Sequence, residues 1–171
     1  MGLILGLDIS LSATGMAIYA PLTNHFTFVD LIRTRDKTDG EELDRIHLIV
    51  ESIQERIGKD VTAIGYEDGF VGKNAQASMS LAKVRGAVAF AFFDYRPYSM
   101  QPGQIKKLCC NNGNAKKEQV AEYLRKVYAD DVARLGIGPF NDKHLSPNKT
   151  SDIYDAMSIA LAYKRLLDSK I

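Results

Sequence analysis

The chain lacks most of what marks a secreted, disulfide-bonded or membrane protein. Among 171 residues it has two cysteines, no tryptophan, five prolines and three histidines. Cys109 and Cys110 are adjacent, which is poor geometry for a structural bridge and no spacing for a metal site, so they point to a reducing, cytoplasmic setting. No basic leader precedes the first apolar run, and that run is too short for a secretion signal or a membrane span, so no membrane contact is expected. His25, His47 and His144 are scattered, and none is assigned a catalytic role. Repeats, linkers and low-complexity stretches are also missing. The length suits one domain, residues 1–171, able to bury about 70% of its unfolded surface without a covalent staple.

Net charge is nearly absent too, at +1, but the balance hides a segregation. Residues 1–75 hold 7 Lys and Arg against 12 Asp and Glu, residues 76–126 hold 9 against 3, and residues 127–171 hold 6 of each. The middle of the chain is its basic part. That suits a polyanionic partner, and it is also what a solvated surface would show.

What is present begins with Leu3 to Asp8, LILGLD, an apolar run closed by a carboxylate and followed by a small, polar turn. It reads as a buried strand at the centre of a sheet. Ionised there, Asp8 either costs several kcal/mol in desolvation and requires a cation, or it merely opens the turn. Thr14–Ala20 and His25–Arg33 read as two more strands around the loop Pro21–Asn24, completing an antiparallel meander. From Gly40 the period changes: Leu43, Ile46, Val50, Ile53 and Ile57 mark an amphipathic helix that Gly58 stops. Val61–Glu67 is a strand that again ends on a carboxylate. A strand, helix, strand order makes it parallel to an earlier strand, which lets Glu67 lie beside Asp8.

After a loop at Gly69–Lys73, a long helix is expected over Asn74–Phe92. Its small-residue face, Ser78, Ala82, Gly86 and Ala89, is expected to pack on the sheet, with a second copy of the helix as the alternative. Tyr95–Met100 reads as the fifth strand, Pro102–Cys110 and Ala115–Tyr128 as helices, and residues 129–150 as an irregular excursion. A final helix follows over Asp152–Leu167, capped by Thr150 or Ser151. The fold class is α/β, a five-stranded mixed sheet of three antiparallel and two parallel strands flanked by helices.

Asp152 and Asp155 are three residues apart, so both project from one face near that helix's N-terminus. Each alone is explained by the helix dipole. Asp155, however, sits at the edge of the apolar stripe. Four carboxylates, two from neighbouring strand ends and two from one helical turn, repel unless cations lie between them. Hard oxygen ligands suit Mg²⁺ or Mn²⁺, and two such ions about 4 Å apart promote in-line displacement at a phosphodiester.

Four segments carry a resemblance: GLDISLSATG, YEDGFVGKNAQASMSLAKVRG, QIKKLCCNNGNAKKEQVAEYL and SDIYDAMSIALAY. In this order they resemble the RuvC-type Holliday junction resolvases, crossover junction endodeoxyribonucleases of the ribonuclease H-like superfamily. The resemblance implies a ribonuclease H-like fold, with Asp8, Glu67, Asp152 and Asp155 as the catalytic, metal-binding acids. It also implies that Lys106 and Lys117 face the DNA backbone and that Phe70 stacks or wedges at the junction. Lys73, Arg85, Lys107 and Lys116, in the same segments, join the DNA-binding set. A homodimer is implied, with the long helix from Asn74 at its interface. Ser10 departs from the glycine of many relatives, and residues 130–148 are longer and more irregular than in bacterial forms.

The expected function is thus a metal-dependent, structure-selective endonuclease that resolves four-way junctions by paired hydrolysis, leaving 5′-phosphate ends, with other branched DNA as a further substrate. No nucleotide cofactor is expected. Two alternatives stand beside it. One is an actin-like or sugar-kinase-like phosphotransferase, which shares the strand, Asp, turn opening but needs a second domain. The other is a non-catalytic dimer that binds branched DNA.

Overall fold

Side-chain alternation along the central strands decides which residues meet which helices. The computed structural model describes residues 2–35, 38–69, 74–138 and 149–169. In it, β1 (Leu3–Asp8), β2 (Ala13–Ala20) and β3 (His25–Arg33) form the antiparallel meander. On the other side of β1 lie β4 (Val61–Glu67) and β5 (Tyr98–Met100), both parallel, in the order β3-β2-β1-β4-β5. The central place of β1 follows from its composition: Ile4, Leu5 and Leu7 are fully buried, as a strand covered on both faces requires.

Two helical layers enclose the sheet. On one face α1 (Glu42–Arg56) and α2 (Ala75–Ala91) bring Ile46, Ile49, Ile53, Val84 and Val88 against Leu5, Leu7, Met16 and Ile18. On the other face α6 (Lys149–Asp168) lies along β1 and β2, with α3 (Pro102–Cys110) and α4 (Lys117–Val127) packed around it. Ile4, Gly6 and Asp8 share the α6 side of β1 because successive side chains point to opposite faces, and Glu67 shares that side of β4 with Gly65.

Two glycines set the depth of α6. A Cβ on Gly6 would lie 2.2 Å from the Ala156 carbonyl oxygen, and one on Gly15 would lie 2.2 Å from that of Asp152. The helix backbone therefore rests directly on the strands. This contact carries the first turn of α6 over the end of β1.

The structure departs from expectation in several places. The small-residue face of α2 turns outward: Ala82 and Gly86 are exposed, and the bulkier Val84 and Val88 are buried against the sheet instead. The reason is area, since valines remove more apolar surface from water than Ser, Gly or Ala. The fifth strand is shorter than expected, because Phe93–Tyr95 form a 3-10 turn and Arg96 is left-handed at φ 46°. The fourth helix begins at Lys117, not Ala115. The last helix begins at Lys149, which places Thr150 and Ser151 inside its first turn, not at its cap.

Within the supposed irregular excursion, residues Ala129–Arg134 form a further helix, α5. It is fastened by Asp131, 2% exposed, which accepts bonds from the Phe26 N–H at 2.8 Å and from Arg134 at 2.9 Å. His25 Nδ1 lies 3.1 Å from the same carboxylate. Residues 139–148, including His144, lie outside the described residues.

Gly15→Val is expected to lower unfolding free energy by roughly 1–3 kcal/mol or more, because the added side chain forces α6 off the sheet. Gly58→Ala, where a Cβ would meet nothing within 4 Å, should stay within about 1 kcal/mol of the native chain. Urea unfolding of both variants checks the contrast.

Candidate active site

β1 delivers Asp8 as its last residue, opposite Gly15 on β2. Leu7 pairs with Tyr66, so Glu67 closes the adjacent parallel strand at the same edge of the sheet. α6 supplies Asp152 and Asp155 from a single turn directly above. Carboxylate oxygens of Asp8, Asp152 and Asp155 lie within 4.8 Å of one another. Glu67 is outside that group of three, yet its charge reaches Asp8.

The turn after Asp8 is built by its own side chains. The Ser10 hydroxyl donates to the Ala13 carbonyl at 2.6 Å and accepts from the Ala13 N–H at 3.0 Å, while the Thr14 hydroxyl donates to the Ser10 carbonyl at 2.9 Å. A serine at position 10 thus closes the turn with bonds that a glycine could not make. Arg45 from α1 reaches across to the Leu11 carbonyl and the Thr34 hydroxyl.

Like charges at this spacing are costly. Burial pushes the Asp8 carboxyl up to about 8, and the charges of Asp155 and Glu67 add to it. Burial likewise raises Glu67, Asp152 and Asp155, with Lys117 opposing the rise in each. Lys117 forms an ion pair with Asp155. Burial alone would lower the Lys117 ammonium, but Asp155, Asp8 and Glu67 hold it above its ordinary value. Carboxylates crowded together in a site where burial disfavours their charged forms are a donor set fitted to a hard divalent ion.

A family model for crossover junction endodeoxyribonuclease RuvC matches residues 4–133. The chain belongs to this family. A crossover junction endodeoxyribonuclease RuvC from Chloroherpeton thalassium is 28% identical over 160 residues, covering 92% of this chain and 78% of the relative. Thermus thermophilus RuvC superposes with a TM-score of 0.76 at 20% identity, over 98% of this chain and 96% of that one. The same protein in complex with a Holliday junction substrate gives 0.72 at 21%, over 99% and 96%. The shared architecture is the ribonuclease H-like fold. Membership in a family of endodeoxyribonucleases makes the chain a nuclease and sets the phosphotransferase alternative aside.

The RuvC family match ends before α6, so Asp152 and Asp155 rest on the geometry above. On the basic side, α3 presents Lys106 half-buried, with its charge reaching Glu67 and Asp155. Lys107 and Lys116 are exposed. Arg85 is half-buried under the end of β4: a Cβ on Gly69 would lie 1.6 Å from its Nη1, and its Nε is buried without a hydrogen-bond partner among the described residues. Its charge reaches Glu67. Phe70 and Lys73 lie outside the described residues.

Three residues near the RuvC site escaped the sequence reading. Arg33, exposed at the end of β3, places its charge near Asp152. Asp68 ties β4 to β5 and α3, donating its N–H to the Met100 carbonyl and accepting from the Gln101 amide, both at 2.8 Å. Only the strand order, which brings position 101 beside position 68, could have marked that pair.

Asp8 sets a pH dependence with a definite sign. Between its ordinary 3.8 and about 8, the folded chain holds a proton that the unfolded chain has released, so metal-free stability falls as pH rises through that window. Asp8→Asn should flatten the fall. Urea midpoints measured near both ends of the window check this, and an equally steep fall in the variant would show that other groups carry it.

Proposed function

We propose that this RuvC-family chain acts as a homodimer on four-way DNA junctions, hydrolysing paired phosphodiesters to leave 5′-phosphate and 3′-hydroxyl ends. The observation that carries the reading is the convergence of the Asp8, Asp152 and Asp155 carboxylates within 4.8 Å at a sheet edge bordered by Lys106 and Lys117. Asp8, Glu67, Asp152 and Asp155 would hold Mg²⁺ or Mn²⁺, in all two ions per site. When bound, such ions supply a deprotonated water and charge stabilisation at the leaving oxygen.

The chain's own contribution is position. The rigid ends of β1 and β4 and the first turn of α6 fix the acids before DNA arrives. Lys106 and Lys117, with Lys107 and Lys116 beside them in sequence, supply positive charge for phosphates, which makes binding steeply salt-dependent. Phe70 is assigned to stacking at the branch point, and Lys73 and Arg85 to the same flank, on the family resemblance. The Thermus relative in complex with a Holliday junction substrate supports the choice of substrate. A module that only bound DNA would gain nothing from four carboxylates facing phosphate. A cytoplasmic setting fits the free thiols of Cys109 and Cys110. No helix among the described residues is long and apolar enough to cross a membrane.

The dimer reading is supported by the outward side of α2. Met79, 57% exposed, and Phe90, 85% exposed, lie on it at helical spacing with Ala82 and Gly86 between them, and Phe93 continues the stripe. Two sites in a symmetric dimer match the two strands that a junction presents for cutting.

A labelled four-way junction incubated with Mg²⁺ should acquire symmetric paired nicks, whereas linear duplex should not. Asp8→Asn should bind the junction but cut it slower by on the order of a hundredfold or more, the scale of losing one electrostatic group in an active site. Binding without cleavage by the native chain would return the reading to a non-catalytic dimer. Phe90→Asp should shift the mass measured by light scattering from dimer to monomer, and an unchanged dimer would move the interface off α2.

A further inference from the structure

We infer that Lys117 is the resident cation of the acidic cluster in the metal-free protein, and that metal loading displaces its ammonium from Asp155 and releases it to a DNA phosphate. The inference rests on the nuclease reading above and adds a coupling between two of its parts. The Asp155 carboxylate is at once the partner of the Lys117 ammonium and a member of the group that Asp8 and Asp152 complete. One carboxylate therefore stands between a lysine and the metal position. An ammonium held that close to a divalent ion, in a site walled by buried groups, is strongly repelled.

The pair is open to solvent on one side only. The Asp155 side chain is 16% exposed and that of Lys117 is 60% exposed. Lys117 is the first residue of α4, whose Val120, Ala121 and Leu124 are buried, so the backbone beneath it is fixed. Its four-carbon stem can swing the charge outward without moving the helix. Lys106 is not equivalent: its charge reaches Glu67 and Asp155, but the hydrogen bond to Asp155 comes from Lys117.

Two consequences follow from one lysine serving two anions. In the absence of metal it offsets the repulsion among the carboxylates, which keeps the empty cluster folded. In the presence of metal it becomes free at the rim of the site. By reciprocity, a phosphate that holds Lys117 away from Asp155 raises metal affinity by the same factor that metal raises phosphate affinity.

Mn²⁺ binding to DNA-free protein, measured by electron paramagnetic resonance of the free ion, tests this without reading catalysis. K117M should bind Mn²⁺ on the order of tenfold tighter than the native chain, since a charged hydrogen bond no longer competes. K117R should bind no tighter than native, and K106M should gain less than K117M. Metal-free K117M should also melt at a lower temperature than native, with the difference closing on addition of Mn²⁺. Equal or weaker Mn²⁺ binding by K117M overturns the inference and leaves the nuclease reading standing. No Mn²⁺ binding by the native chain overturns that reading itself. The native protein gives a second measurement should K117M not fold. The Lys117 ammonium, observed by nitrogen-15 NMR, should exchange slowly without metal and lose that protection on addition of Mg²⁺. Protection that persists in saturating Mg²⁺ overturns the displacement.

Discussion

The direct seating of the α6 backbone on Gly6 and Gly15 is the contact on which the rest of this structure depends. A helix held off by ordinary side chains would stand several ångströms farther from the sheet, and its first turn would no longer overlie the end of β1. At the observed depth, alternation along β1 turns Asp8 toward Asp152 and Asp155, while the same alternation turns Leu5 and Leu7 into the opposite core. The site is thus a by-product of close packing between a glycine-bearing strand pair and an alanine-bearing helix, Ala156 and Ala160 being the residues at the contact.

That packing concentrates negative charge where water is scarce. The protonated tendency of Asp8 and the ion pair between Lys117 and Asp155 are two responses to the same repulsion, one by taking up a proton and the other by borrowing a neighbour's cation. Both bring positive charge to a cluster of carboxylates that would otherwise repel one another. Stability held back by such a cluster is a common accompaniment of function, since the acids would be replaced by apolar groups if folding alone mattered.

The basic elements are held to the acidic ones by polar ties at a distance from the chemistry. Asp68 and Gln101 join the end of β4 to the start of α3, which fixes Lys106 relative to Glu67. Arg165 on α6 donates to the Leu108 and Cys109 carbonyls and to the Tyr123 hydroxyl, binding α3 and α4 to the helix that carries Asp152 and Asp155. Asp131 does the same for α5 and β3. These groups convert a sheet with helices on it into a frame of fixed distances.

Local pattern determined a great deal. The apolar run before Asp8, the change of period at Gly40 and the second carboxylate-ended strand at Glu67 fixed the meander, the crossover and the shared sheet edge, because each rests on the alternation or helical spacing of neighbouring residues. The three-residue spacing of Asp152 and Asp155 likewise told that they project from one turn. Tertiary contact decided the rest. Which face of α2 is buried depended on the apolar area that Val84 and Val88 remove from water against the sheet, which no spacing rule contains. The helix α5 depended on a carboxylate whose partner Phe26 is remote in sequence, and the burial of Arg85 depended on Gly69 arriving from another element. The pairing of Lys117 with Asp155 belongs to the same class: a charge on one helix finds its counterpart on another only after both have packed on the sheet.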